Sequence, residues 1–502
     1  MKSVWHKIHI LSDKLHMPSL PNWLVGILAL VFILRIPSFF EPYYYGDEMV
    51  YMTLGQGVRQ GLTLYKDIHD NKPPLLYLTA AVADNLFWFK VILAFWNIAT
   101  IVVFYKLAKF LFEKNQKAQK ISTVLFGLLT TIPLLEGLTV NSELFMVAFS
   151  ILAFLILLKK DLKTKGIFVA GVLFGIGTLF KVPAAFDAPV IVFYWLITTG
   201  FGNWKNILKN TLILMAGFAT PLLITFVWYF FKGALPEYIK AAFLQNVGYV
   251  SSFRPGDVQK PFLVRNAPLL IRGFIVLAGS FVLFVFRKKL SSKFVLFSLW
   301  TLFALFAIAL SERPYPHYLI QVIAPVSFLL ATFFTEKSLE QSLTVIPLAL
   351  SLFVPVYYKF WLYPVGSYYV RFINFAINRE TKTEYFNGYS PTTNRNYEIA
   401  QFLATSSKPS DRVFMWGPDS AAVYSLSKRL PPIKYVVDYH ILDYSTKAQE
   451  AKNIAAKPPK FIILTSDNPY PELRLLIKQK YILVNTIGNA DIYSRIDFAP
   501  AR

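Results

Sequence analysis

The chain has 502 residues, of which 55% are hydrophobic and 16% are charged, and its formal net charge is +22. Apolar runs of about 17 to 23 residues recur, the length that crosses a hydrocarbon core, so the composition indicates a polytopic α-helical membrane protein and excludes a soluble one. The chain has no cysteine, which excludes disulfides, zinc–cysteine sites and thiol nucleophiles.

The predicted spans begin after a basic N-terminal tail, with a first helix over about 22–39 that is too long for a signal-peptide core. The first outer loop follows over 40–89. Its second part, 73–89, is predicted to be an interfacial helix, because Phe87 and Trp88 suit the membrane–water boundary. Ten further spans are predicted at about 90–112, 121–135, 143–158, 166–180, 184–199, 208–231, 267–286, 294–310, 317–334 and 341–358.

The basic residues support this arrangement of about eleven spans. Every connector that it assigns to the inside carries lysine or arginine, as the positive-inside rule requires. This distribution explains the net charge better than a nucleic-acid partner, which would need basic residues gathered on a soluble domain. We therefore expect a plasma-membrane protein with a cytoplasmic N-terminus and an extracytoplasmic C-terminal region.

The composition changes after about residue 365. We predict a membrane domain over 1–364, a linker over 365–394 and a soluble α/β domain over 395–502. Stretches such as DRVFMWG and KFIILTSD indicate strands, and they alternate with helix-like segments. In this topology the small domain lies on the outer face.

Charged residues of both signs gather in the first outer loop. Asp47 and Glu48 follow the first span directly. They fit the N-terminal turn of a helix, where carboxylates are favoured. They also fit a general base with a second carboxylate, or a metal-binding pair.

The same loop closes with further polar residues at Asp67, His69, Asp70 and Lys72. Lys72 precedes two prolines. It fits a snorkelling side chain at a helix boundary, and it equally fits a rigidly held charge for a lipid phosphate.

Other outer connectors add candidate substrate-binding residues: Glu143, Lys181, Arg254, Arg313, Tyr315 and His317. A lone lysine near a span end, such as Lys181, often snorkels. Arg313 and His317 suit either a polar rim or phosphate recognition. A histidine–carboxylate metal site is a further alternative for these residues, although their spacing carries no zinc signature. The metal therefore stays unknown and the only candidate cofactor is a divalent cation.

Three motifs occur in order on the predicted outer face: Tyr45-Gly46-Asp47-Glu48, then Asp67-x-x-Asp70-x-Lys72-Pro73-Pro74-Leu75, then Arg313-x-Tyr315-x-His317-Tyr318. Together they resemble the membrane glycosyltransferases of the GT-C class. The likeness is to the bacterial branch related to protein O-mannosyltransferases and aminoarabinose transferases, glycosyltransferase family 39-like. Lys181-x-Pro183 is a weaker likeness.

This resemblance implies a GT-C-like fold and a polyprenyl-phosphate-linked sugar donor, with inverting transfer to an acceptor hydroxyl outside the cytoplasm. It implies that Asp47 deprotonates that hydroxyl and that Lys72 and Arg313 lie near the donor phosphate. In the aminoarabinose transferases a glutamate precedes Lys-Pro-Pro, whereas this chain has Asn71 there and Asp70 one residue earlier. The acceptor could be a protein, a lipid or a glycan.

Other functions remain open from the sequence. A ligase or polymerase of lipid-linked oligosaccharides would use a similar donor. A lipid or solute transporter would need ionisable groups at mid-membrane or repeated halves, and neither is visible. A non-enzymatic scaffold would leave the charged outer connectors unexplained. The transferase interpretation is favoured over these.

Overall fold

The computed structural model describes residues 20–246, 261–311, 313–466 and 468–498. The predicted tail before residue 20 and Arg254 lie outside these residues. The first part of the chain is helical, and its helices are α1 (Asn22–Arg35), α2 (Gly46–Arg59), α3 (Leu75–Ala83), α4 (Leu86–Leu111), α5 (Gln116–Leu129), α6 (Ser142–Leu157), α7 (Thr164–Phe180), α8 (Ala188–Thr199), α9 (Trp204–Phe231), α10 (Leu235–Ile239), α11 (Phe262–Val285), α12 (Ser292–Ala309), α13 (Ile320–Thr335), α14 (Leu339–Leu343) and α15 (Val345–Tyr357).

Eight helical segments in the described ranges are long and apolar enough to cross a membrane: Asn22–Phe40, Leu86–Leu111, Val182–Thr199, Phe201–Phe231, Asn266–Val285, Ser292–Ala309, Pro316–Thr335 and Leu339–Tyr357. Two shorter apolar helices, α6 and α7, coincide with predicted spans, and so does α5. The prediction of a multi-pass helical membrane protein is confirmed. The number of helices that cross, and their orientation, stay predictions.

The predicted interfacial helix at 73–89 is shorter than expected. It begins after Pro74, whose fixed φ suits a helix start, and it ends at Ala83. Asp84 then adopts a positive φ of 63°, which turns the chain. The side chain of Asn85 accepts a hydrogen bond from the Trp88 amide and starts α4, so the polar pair separates two helices.

Helices α7 and α9 approach so closely that their backbones touch. A Cβ atom on Gly171 would lie 2.2 Å from the backbone oxygen of Leu214, and one on Gly217 would lie 2.1 Å from that of Phe168. Only glycine permits this distance. Small residues at a crossing point are typical of helix pairs that pack within lipid.

The C-terminal part contains a four-stranded sheet, as the alternating pattern predicts. The strands are β1 (Val413–Trp416), β2 (Phe461–Thr465), β3 (Tyr481–Ile487) and β4 (Ala490–Arg495). Their order is β1-β2-β4-β3, with a parallel pair β1–β2 and antiparallel pairs elsewhere. The accompanying helices are α16 (Val365–Ala376), α17 (Lys382–Asn387), α18 (Thr393–Ser406), α19 (Ser420–Ser427), α20 (Asp438–Tyr444), α21 (Lys447–Ala456) and α22 (Arg474–Lys480).

The C-terminal part packs directly on the segment predicted as the first outer loop. The Thr53 hydroxyl on α2 donates to the backbone oxygen of Ala421 on α19, at 3.0 Å. The amide of His69 donates to the backbone oxygen of Lys434, at 2.8 Å. One hydrophobic core runs from the helices into β1 and β2. The sheet is therefore held against α2, the helix that begins with the Gly46-Asp47 step.

The segment predicted as a linker forms two helices, α16 and α17. On α16, Tyr368 donates to Glu41 Oε1 at 2.5 Å and Tyr369 donates to the backbone oxygen of Leu34 at 3.1 Å. These contacts fix the segment to the end of the first span.

Candidate active site

A cavity of about 840 Å³ opens where the predicted first outer loop, the ends of the apolar helices and the C-terminal part meet. Most of the sequence-predicted site residues line it. They are Asp47, Asp70, Lys72, Glu143, Lys181, Arg313, Tyr315 and His317. These residues are spread over some 270 positions of the chain, so the fold brings together three separate motifs of the sequence.

Asp47 lies in the first turn of α2 and faces the cavity, with 34% of its side chain exposed. The Tyr51 hydroxyl, one turn later, donates to Asp47 Oδ2 at 3.0 Å. Lys72 Nζ lies 3.8 Å from the same oxygen. Burial opposes ionisation of Asp47, but Lys72 and then His317 outweigh it, and the pKa of Asp47 lies below its usual value. Asp47 is therefore a carboxylate at neutral pH.

Lys72 is positioned by a second carboxylate, Asp70, whose Oδ2 lies 3.7 Å from Nζ. Asp70 is buried and accepts hydrogen bonds from the Tyr77 hydroxyl and the Asn71 amide, both at 2.7 Å. Burial alone would raise the pKa of Asp70, but Lys72, His440 and these hydrogen bonds lower it to about 2. The lysine therefore sits between two ionised carboxylates.

His317 lies just before α13 and contacts two glutamates near the start of α6. Its Nδ1 lies 2.5 Å from Glu136 Oε2, and its Nε2 lies 3.9 Å from Glu143 Oε1. Glu143 also forms an ion pair with Lys181. Lys181 Nζ lies 3.8 Å from the ring centroid of Tyr318, a cation–π geometry. These contacts hold one cation and one imidazole at the cavity wall.

Glu48 faces away from the cavity, although it follows Asp47 in the sequence. Its carboxylate is fully buried, lies 2.7 Å from Lys90 Nζ, and accepts a hydrogen bond from the Val140 amide at 2.6 Å. Burial raises the pKa of Glu48, and Lys90 opposes that rise. In this position Glu48 fixes α2 against α4 and the connector before α6.

Two other predicted residues do not line the cavity. Asp67 closes a turn by accepting a hydrogen bond from the Thr63 amide at 2.8 Å, and it is exposed. His69 is buried between the rings of Tyr435 and Tyr444, at 5.2 and 5.1 Å. Burial lowers the pKa of His69 to about 3, so it is neutral and packs the loop against the C-terminal part.

No group of three or more acidic, histidine or cysteine side chains is arranged to hold a metal ion within the described ranges. A divalent cation stays a prediction.

One wall of the cavity, helix α20, is not predicted by the sequence. Its residues Tyr439, His440, Asp443 and Tyr444 all line the cavity. His440 Nε2 lies 3.4 Å from Asp70 Oδ1. The stretch DYHILDY is rich in aromatic and charged residues, which is a weak signal, but nothing local places it beside a loop about 370 residues earlier.

The remaining wall is apolar and comes mainly from the membrane helices and their ends, including Met146, Phe186, Phe306, Ile308 and Leu310. A cavity with mostly apolar walls and a few convergent charged groups suits an amphipathic ligand. A lipid with a charged head group has this character.

Comparison with known proteins supports the predicted resemblance. A family model described as dolichyl-phosphate-mannose-protein mannosyltransferase matches residues 72–230. The matched segment contains Lys72, Glu143 and Lys181, and it begins after Asp47. No curated protein matches the chain.

Two crystal structures of ArnT from Cupriavidus metallidurans share the fold. The one bound to undecaprenyl phosphate has a TM-score of 0.55 and 12% identity, and the match covers 96% of this chain and 100% of ArnT. The apo structure has a TM-score of 0.57 and 13% identity, with 96% and 99% covered. At this identity the likeness is one of fold. The family model and the fold together support a membrane glycosyltransferase of the GT-C type.

Proposed function

We propose that this chain transfers a sugar from a polyprenyl-phosphate-linked donor to an acceptor hydroxyl on the outer face of the plasma membrane, with inversion. One observation carries the proposal. Asp47 is an ionised carboxylate facing a cavity with apolar walls, and Lys72 Nζ lies 3.8 Å from it. This arrangement combines a base, a cation for a phosphate and room for a lipid.

In the proposed reaction an acceptor oxygen attacks the anomeric carbon of the donor sugar. The new carbon–oxygen bond forms as the bond from that carbon to the phosphate oxygen breaks, and the phosphate leaves with the electron pair. Asp47 takes the proton of the acceptor hydroxyl. Because its pKa is below the usual value, Asp47 is in the basic form at neutral pH. A single displacement inverts the anomeric configuration.

The leaving phosphate gains negative charge, and cations placed in advance stabilise it. Lys72, Lys181 and Arg313 supply positive charge at the cavity wall. Lys72 and Lys181 are oriented by Asp70 and Glu143, so little reorganisation is needed when the phosphate leaves. Lysine acts as a compact point charge, and arginine offers a planar pair of donors that matches phosphate oxygens.

The apolar wall supports a lipid-linked donor. Phe186, Phe306 and Ile308 belong to segments that are apolar enough to span a membrane. A prenyl chain can therefore stay against apolar side chains while its phosphate and sugar reach Asp47. The ArnT structure that shares this fold contains undecaprenyl phosphate, and we assign the same class of lipid to this chain.

The test is consumption of a panel of synthetic polyprenyl-phosphate sugars by the purified protein in lipid nanodiscs. We expect one donor to be cleaved to polyprenyl phosphate. We also expect the anomeric configuration of the product, determined by NMR, to be the inverse of that of the donor. Cleavage of no donor, or retention of configuration, would contradict the proposal. Movement of the lipid across vesicles without cleavage would favour a transporter instead.

A further inference from the structure

Helix α20 presents side chains to the cavity that have no role in the proposed transfer of the sugar. Tyr439 and Asp443 lie one turn apart on this helix and line the cavity. The side chain of Leu442, between them, does not line it and is 58% exposed. One face of the helix is therefore turned to the cavity.

The cavity face of α20 is fixed relative to the proposed base. His440 lies 3.4 Å from Asp70, which in turn positions Lys72 beside Asp47. The side-chain amide of Asn71 donates to the Tyr444 hydroxyl at 3.0 Å. These two contacts join α20 to the Asp70-Asn71-Lys72 segment and hold its cavity face beside the proposed base.

The chemistry of this wall is aromatic and acidic. Tyr439 is 40% exposed, and Asp443 is exposed with no hydrogen bond or ion pair to the part of the chain that the structure describes. Burial lowers the pKa of His440, so it contributes no positive charge. The cationic residues that line the cavity, Lys72, Lys181 and Arg313, all come from other elements.

A wall without cations does not suit a phosphate, and a carboxylate there repels one. A carboxylate does accept hydrogen bonds from hydroxyl groups, with both oxygens available. An aromatic ring can pack against the C–H face of a sugar ring. Small-molecule sites commonly combine such aromatic walls with a few polar groups that fix the orientation of the ligand. The wall therefore matches an uncharged polyhydroxyl compound.

We infer that Tyr439 and Asp443 bind the acceptor, and that the acceptor is a saccharide that presents one hydroxyl to Asp47. The inference rests on the proposed function. The donor phosphate lies with the cations of the other elements, and the acceptor enters along α20. The C-terminal part of the chain thereby sets acceptor specificity.

The experiment uses the full-length protein and the donor that the panel identifies. Three quantities are measured: the donor Kd, the slow release of free sugar to water, and the acceptor KM for short oligosaccharides. The variants are Tyr439→Ala and Asp443→Asn, and Leu442→Ala is the matched control on the same helix. We expect Asp443→Asn to raise the acceptor KM by about tenfold, since a hydrogen bond to a charged group is worth that much. We expect Tyr439→Ala to raise the acceptor KM as well, because it removes the aromatic face that packs on the sugar ring. The donor Kd, the release to water and the control should be unchanged.

Three outcomes would overturn the inference while leaving the proposed function intact. The variants keep the wild-type acceptor KM, or they weaken donor binding instead, or serine/threonine peptides or lipid head groups accept the sugar and no saccharide does. If the wild type consumes no donor at all, the proposed function itself is refuted.

Discussion

Replacement of Lys90 by methionine tests whether a buried charge cluster holds α2 in place. Lys90 Nζ lies 2.7 Å from both Glu41 Oε2 and Glu48 Oε1, and it donates to the backbone oxygen of Leu138 at 3.1 Å. The three side chains are at most 3% exposed. At an effective dielectric constant of about 20, each pair corresponds to about 6 kcal/mol of attraction, which offsets lost hydration. Without the cation, two buried carboxylates remain, and we expect the free energy of unfolding to fall by about 3–5 kcal/mol.

The assay is equilibrium unfolding in mixed detergent and SDS micelles. Lys293→Met is the control, because the Lys293–Glu336 pair at 3.3 Å is partly exposed and should contribute at most about 1 kcal/mol. The triple variant Glu41→Gln, Glu48→Gln, Lys90→Met removes every charge of the cluster and should recover most of the loss. The reasoning is refuted if Lys90→Met costs no more than the control, or if the triple variant is as unstable as the single one.

Two further predictions concern the proposed base and the helix packing. Lys72→Gln should move the acid limb of the pH profile of kcat/KM to higher pH, because Lys72 lowers the pKa of Asp47 and the ionised form is active. The control Lys66→Gln, at a residue outside the cavity, should leave this limb in place. An unmoved limb in Lys72→Gln would contradict the assignment of Asp47 as the base. Gly171→Ala should lower the stability by about 1–3 kcal/mol, since its Cβ would lie 2.2 Å from a backbone oxygen of α9. Gly273→Ala should not lower the stability, because an added Cβ there would meet no atom of another described segment within 4 Å. Equal stability of the two variants would argue against backbone contact between α7 and α9.

Much of the fold follows from the lengths of the apolar runs and the placement of lysine and arginine between them. Helix ends are harder to predict. The run at 73–89 is apolar at both ends, but Asp84 takes a positive φ and Asn85 caps the next helix, so the run becomes two helices. A short polar pair inside an apolar run was the available signal for this break.

The candidate site was predictable where its residues lie in the connectors that we predict to be on the outer face. It was not predictable where residues far apart in the sequence are in contact. Asp47 and Lys72 meet because both belong to the first loop. The sequence predicts Glu48 as a partner of Asp47 because the two residues are adjacent. Neighbouring residues in a helix point in different directions, however, and a helix that starts at Gly46 separates their side chains. Lys90 lies at the start of a predicted apolar span, where a lysine gives no sign of an ion pair. No helical or strand spacing in the sequence connects it with Glu48.

The wall formed by α20 could not be predicted for the same reason. Its residues belong to the C-terminal part of the chain, whose helices and strands are predictable from the alternation of helix-like and strand-like segments. This alternation does not predict where the C-terminal part lies relative to the membrane domain. The contacts of His440 with Asp70 and of Tyr444 with Asn71 show that this helix reaches the cavity.

The central claim is that Asp47 takes the proton from the acceptor hydroxyl. The most direct measurement is the single-turnover rate of sugar transfer from a preformed donor complex at saturating acceptor, in the wild type and in Asp47→Asn. Asp67→Asn is the control, since that carboxylate closes an exposed turn. We predict that Asp47→Asn keeps its donor Kd and loses transfer by about 10²- to 10⁴-fold, while the control keeps both. A wild-type transfer rate in Asp47→Asn would contradict the account.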